Sequence, residues 1–175
     1  HTCLPHMPCT HAIPGEHWVQ DTLIGGGRII GEGCHFIDLM RHLVGHKITD
    51  FTATIMGNVP GVEIREDKAS ITLSFEDGSF GTIHYLANGG SIFPKERIEV
   101  FCDNAVLQMD NYRVLTGYGW PGFKKMKLFK QDKGQKVCAK AFIESIANGK
   151  ESPIPYNEVM ESSRVSIEIA NLLRN

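Results

Sequence analysis

Three consecutive glycines, Gly25 to Gly27, followed by a helical pattern that closes on Gly45, constrain this chain more than any other stretch. Glycine loses the most backbone freedom on ordering, so a run of three marks a place where the chain turns sharply or lies close against another group. From Ile29 the apolar positions recur at Ile29, Gly33, Phe36, Met40 and Leu43, with Ile30, Cys34, Ile37 and Val44 widening the face. That is the spacing of an amphipathic helix, and Gly45 stands where a helix-ending glycine belongs.

A polar stripe runs off that face. Gly31, His35, Asp38 and His42 fall three or four residues apart, flanked by Arg28 and Glu32. His35 has Glu32 three residues before it and Asp38 three after, and carboxylates favour the imidazolium, which suits a histidine to proton transfer near neutral pH. Gly31, one turn earlier, leaves open space beside the ring, as the floor of a ligand site would. The same spacing also admits a structural histidine on an ordinary amphipathic helix.

Beyond Ile48 the period changes to two. Phe51, Ala53 and Ile55 alternate with Thr52, Thr54 and Met56, and Ala69, Ile71, Leu73 and Phe75 alternate again. Glu76-Asp77-Gly78-Ser79 then turns the chain into a returning strand, Phe80 to Leu86. Arg97 to Cys102 and Val106 to Asp110 flank an Asp103-Asn104 turn, with Tyr112 to Leu115 and Lys125 to Lys130 as further strands. Two helices close the chain, Val137 to Ala147 and a last one capped by Asn157 that turns Met160, Ser163, Ile167, Ala170 and Leu173 inward. The expected fold is α+β, a mostly antiparallel open sheet with helices packed on one face. Its free face would be the contact surface of a homo-oligomer.

Composition narrows the function classes. A net charge of -2 gives no basic footprint for nucleic acid or an anionic membrane. No apolar run reaches membrane-spanning length and no signal-peptide pattern stands at the start, so the cytoplasm is the expected location. Five dispersed cysteines do not form a disulfide framework. Residues 1–16 read as an irregular segment or the remnant of a removed upstream domain, and residues 17–175 as one α+β domain. His1, Cys3, His6, Cys9, His11 and His17 are soft ligands whose spacing fits no zinc finger or ribbon, so no metal site is assigned, although a zinc-binding segment is the alternative.

The run from His17 to Gly45, including G-G-G-R-I-I-G-E and C-H-F-I-D, resembles the opening of the C-terminal domain of Gfo/Idh/MocA oxidoreductases. It is most similar to a subgroup in which that domain belongs to a longer multidomain oxidoreductase, and F-P-K-E-R-I-E-V-F from Phe93 to Phe101 also looks like that subgroup. The resemblance implies the substrate-binding and oligomerising half of a dehydrogenase acting on a secondary alcohol of a sugar, cyclitol or nucleotide sugar. NAD or NADP would be bound mainly by an N-terminal Rossmann domain that this chain lacks, so the chain alone is expected to be inactive. The one G-x-G-x-x-G, Gly117 to Gly122, leads into the expected strand Lys125 to Lys130 and opens no helix, and Gly25 to Gly27 lacks the spacing. The family's E-K-P lysine belongs to the missing domain, and Pro94-Lys95-Glu96 is a different motif.

By position, His35 matches the family histidine that assists proton transfer at the substrate oxygen, and Asp38 the acidic residue three places later. Where the family carries an aspartate four residues before the histidine, this chain has Gly31. The resemblance places Glu16 to Asp21 beside the active site, so Trp18 would stack on a sugar ring and His17 bind hydroxyls, unless Trp18 is core. Arg28, Glu32 and Lys95 complete the expected substrate contacts, Lys95 alternatively being a solvated turn residue. The competing function is a non-catalytic binding or scaffold domain that keeps the fold without the chemistry.

Overall fold

The computed structural model describes residues 6–8, 17–58, 60, 65–90 and 92–175. Among the described residues eight strands form one sheet, β1 (His6–Pro8), β2 (Ile48–Ile55), β3 (Lys68–Phe75), β4 (Phe80–Leu86), β5 (Arg97–Cys102), β6 (Ala105–Asp110), β7 (Val114–Tyr118) and β8 (Lys125–Lys127). Their order across the sheet is β2-β3-β4-β1-β5-β6-β7-β8. Neighbours are antiparallel except β1 and β4, which run parallel. The helices are α1 (Cys34–Val44), entered through a π-helical turn at Ile29–Gly33, α2 (Gln135–Ala147) and α3 (Tyr156–Arg174).

Alternation in β3 and β4 sets the core. Ala69, Ile71, Leu73, Phe75, Ile83, Tyr85 and Ala87 project to one side and are buried against Phe36, Ile37 and Met40 of α1 and Val165, Ile169, Ala170 and Leu173 of α3. Each large aliphatic side chain fully removed from water there contributes about 1.5–3 kcal/mol. The opposite side of these strands is polar. Thr72 and Thr82 meet at 3.2 Å and Ser70 Oγ lies 2.8 Å from His84 Nδ1. Farther along, Arg97 donates to Glu99 and Gln108, and Gln108 to Asp110. A sheet covered on one side and polar on the other is the expected α+β architecture.

Several details depart from the pattern in the sequence. Within the segment expected to be irregular, His6–Pro8 is a strand between β4 and β5. Three residues ending in proline carry too little alternation for a period of two to register. The remainder of residues 1–16, with His1, Cys3, Cys9 and His11 of the zinc alternative, lies outside the described residues. Among the described residues no cluster of His, Cys, Asp and Glu could hold a metal ion. No described helix is long and apolar enough to cross a membrane.

α3 is rotated from its expected register: Ser162, Val165, Ser166, Ile169, Ala170 and Leu173 are buried, while Met160, Ser163 and Ile167 are not. Small serines let α3 approach α1 closely, and Ser166 Oγ donates back to the Ser162 carbonyl at 2.6 Å. Asn157 lies inside the helix, and Pro155, with extended backbone, precedes its first residue. In α1, Arg41 replaces Leu43 on the inner face, because Glu161 on α3 supplies its counter-charge at 3.0 Å. α2 does not cover the sheet as the other helices do. Only Ser145 is buried, and Val137, Phe142, Ile143 and Ile146 are exposed.

Candidate active site

The glycine run brings the chain into α1 beneath the end of α3. Gly26 and Gly27 have φ of +72° and +79°, and a side chain on Gly27 would collide with the Glu66 carboxylate and the Arg174 guanidinium. A Cβ at Gly25 would stand 2.4 Å from the Trp18 carbonyl oxygen. Arg174 donates to the Gly26 carbonyl at 2.5 Å and to Glu66 at 2.7 Å, closing the turn from the other side. Asp21 Oδ1 accepts from the Leu23 and Ile24 amides at 2.7 and 3.1 Å, which orders the approach to the glycines.

The π-helical turn that follows changes the angular relation of its residues to α1, and such turns recur at functional sites. Arg28 precedes it, buried at 4% exposure, and its Nε donates to Tyr85 Oη at 2.8 Å while the guanidinium lies 5.6 Å from that ring. Burial pushes Tyr85 up to about 12, against the opposing pull of Arg28. Arg28 therefore pins the turn to β4, with Nη1 left without a partner among the described residues. Glu32 is half-buried and its charge acts on Tyr85 and Cys34; burial foremost, then the Glu32 and Asp38 carboxylates, pushes the Cys34 thiol up.

His35 and Asp38, on the first two turns of α1, share the wall of a cleft of about 530 Å³ with His42, Tyr112, Lys133 and Glu158. Pro153 to Pro155 and Cys138 also line it. His35 is exposed, whereas Asp38 is half-buried and accepts from Ser162 Oγ at 3.1 Å, which ties it to α3. Of the expected site residues, these two alone line the cleft. His17 and Trp18 lie together at the glycine turn, ring centroids 5.7 Å apart, with the Val19 amide donating to His17 Nδ1 at 3.3 Å. Trp18 is 61% exposed, which removes its reading as core. Lys95 is exposed on the loop before β5.

Sequence reasoning missed Tyr112 and Lys133. Tyr112 falls in a tight turn with Asn111, both left-handed at φ +48° and +52°, and Lys133 lies in an irregular stretch where no periodicity marks it. A bulky residue in that conformation is the signal, but a sequence does not display φ.

The comparisons with known proteins fit this geometry. Residues 6–108 match the model of the GFO/IDH/MocA C-terminal domain. The chain belongs to the Gfo/Idh/MocA oxidoreductase C-terminal domain family. No curated protein matches its sequence. Among solved structures, the aldose-aldose oxidoreductase of Caulobacter crescentus, complexed with glycerol, superposes with a TM-score of 0.76 at 17% identity, covering 99% of this chain and 53% of that one. Levoglucosan dehydrogenase, in complex with NADH, gives 0.76 at 16% identity, covering 97% and 55%. UDP-N-acetylglucosamine 3-dehydrogenase from Acidithiobacillus ferrooxidans gives 0.72 at 14%, covering 98% and 53%. At these identities the likeness establishes the fold, and the chain spans about half the length of the structures it matches.

The glycine run at Gly25 to Gly27 is not a dinucleotide fingerprint. Beside Gly27 stands the Glu66 carboxylate, paired with Arg174 through both of its oxygens. Among the described residues that lead into the run, 17–24, there is no strand, which the fingerprint requires.

Proposed function

We propose that this chain is the substrate-binding half of a nicotinamide-dependent oxidoreductase acting on a secondary alcohol of a sugar, cyclitol or nucleotide sugar. The observation that carries the reading is the exposed His35 opening onto the cleft beside Asp38, in a domain of this family. The names of the structural relatives, two of them sugar or nucleotide-sugar dehydrogenases and one an aldose-aldose oxidoreductase, support the substrate class. NAD or NADP would be held by a domain outside this chain.

In this reading the substrate rests against α1 with its reacting oxygen at His35. The imidazole takes the alcohol proton during oxidation, or returns it during reduction. Asp38, held by Ser162, contributes a fixed negative charge on the same helix face. Trp18 and His17 border the approach and Lys95 meets the distal part of the substrate. The polar uncovered side of the sheet, with its hydroxyl pairs and the Arg97–Glu99–Gln108–Asp110 chain, serves as the oligomer surface.

Gly31 favours a second reading, a binding domain without catalysis, since the family aspartate position is vacant. A Cβ there meets only Val19 and the Gly25 carbonyl at 3.7 and 3.9 Å, so an aspartate would fit. In the complete protein containing a dinucleotide-binding half, His35→Ala and His35→Asn lower turnover by about 10²-fold or more if His35 transfers the proton. Unchanged turnover assigns His35 a structural role and leaves the non-catalytic reading.

A further inference from the structure

The part of the cleft lining that comes from Tyr112 and Lys133 is assembled with more care than a surface loop requires. Asn111 and Tyr112 form the β6–β7 turn with both residues left-handed, a conformation that favours Asn-Gly. A tyrosine at the second position bears a cost of order 1 kcal/mol, and residues held this way cluster at ligand sites. Neighbouring bonds hold the turn in place. The Asn111 amide donates to the Glu96 carbonyl at 2.6 Å, and Gln131 Nε2 donates to the Asn111 carbonyl and to its Oδ1 at 3.1 and 2.9 Å. The Asp132 amide donates to the Tyr112 carbonyl at 3.1 Å.

This stapling delivers Lys133 to the cleft. Its Nζ donates to Glu96 Oε1 at 2.5 Å and lies 5.7 Å from the centre of the Tyr112 ring. Glu96 is 5% exposed, and its second oxygen, Oε2, is buried with no hydrogen-bond partner among the described residues, so Lys133 is the counter-charge of a buried carboxylate. An ammonium group carries three N–H donors. One is committed to Glu96, and Lys133, partly exposed, lines the same cleft as His35.

We propose that Lys133, positioned by Glu96 and Tyr112, is a substrate-contacting residue that donates a hydrogen bond to a neutral oxygen of the sugar held against His35, the Tyr112 ring forming the apolar surface beneath it. The charge of Lys133 is already balanced by Glu96, so the site offers strong donors with little net charge. It therefore selects hydroxyl or carbonyl oxygens over phosphate. The inference rests on the sugar reading above and adds a further residue that meets the substrate in the same cleft.

Calorimetric titration of the purified chain with levoglucosan, glycerol and UDP-N-acetylglucosamine tests it, on the wild type, Lys133→Arg, Tyr112→Asn and the double variant Glu96→Gln/Lys133→Met. The double variant removes the buried charge pair together, and asparagine keeps the left-handed turn, so both are expected to remain folded by circular dichroism. Loss of one charge-assisted hydrogen bond weakens binding about tenfold to a hundredfold. The expected result is that loss in the double variant, a smaller loss in Tyr112→Asn, partial retention in Lys133→Arg, and levoglucosan affinity that changes little with salt. A wild type that binds a sugar, with folded double variant of equal affinity, overturns the Lys133 assignment alone. A folded wild type that binds none of the three overturns the sugar reading and the assignment with it.

Discussion

Replacing Glu161 by alanine isolates the contact that holds the site-bearing helix. Glu161 accepts from Arg41 Nε at 3.0 Å with one oxygen and from the Ile48 amide, at the start of β2, at 2.6 Å with the other. Arg41 is 5% exposed, and its other carboxylate, Glu158, stands at 3.7 Å. Glu161→Ala therefore leaves a buried guanidinium with one distant partner and a strand amide with none. Removing one member of a buried ion pair costs about 3–5 kcal/mol, whereas replacing both by apolar residues is often close to neutral. For a domain of this size each kcal/mol lowers the midpoint by about 2–4 °C, so Glu161→Ala should lower Tm by about 6–20 °C. Arg41→Leu/Glu161→Leu should recover at least half of that loss. Urea and thermal unfolding followed by circular dichroism measures both. A cost below about 1 kcal/mol for Glu161→Ala, or a double variant no better than the single, would refute the claim that this pair locks α1 to α3 and β2.

Two further outcomes follow from the same structure. Tyr85 is raised by burial to about 12, so the folded state keeps its proton after an unfolded tyrosine, near 10, has released it. Its stabilisation is complete below pH 10 and is lost as pH rises toward 12, by up to about 3 kcal/mol, and Tyr85→Phe should show a shallower decline across that window in urea titrations. Gly27→Ala should cost clearly more than Gly45→Ala: both have positive φ, but only at Gly27 does the new methyl strike Glu66 and Arg174, while Gly45 has open space. Denaturation midpoints compare them, with Gly45→Ala expected near 1 kcal/mol and equality counting against the packing role of the glycine run.

The sequence made some of this legible because local physics and tertiary context agree. Strict alternation in β3 and β4 fixes which residues face the core, and Gly45 ends α1 with φ +75° as its position implies. Where a long-range partner decides, the pattern misleads. Arg41 goes inward because Glu161 and Glu158 await it, and α3 turns its serines toward α1 although apolar count alone favours Met160 and Ile167. The π-helical turn is equally hidden, since its hydrogen-bond register leaves no signature in residue type. His35 and Asp38 are visible as a helical stripe, but Tyr112 and Lys133 come to line the same cleft from a turn and a loop far along the chain, a juxtaposition that only folding creates.

The central claim, that this half holds the sugar at His35 and does not hold the dinucleotide, is tested most directly by following the imidazole resonances of the histidine-labelled chain by NMR. Levoglucosan, UDP-N-acetylglucosamine, NAD and NADP would be added separately, with His35→Asn assigning the signal. The account predicts that a sugar or nucleotide sugar shifts the His35 resonance while NAD and NADP leave it in place. A His35 signal that ignores both sugars, or one that moves with a dinucleotide alone, would contradict it.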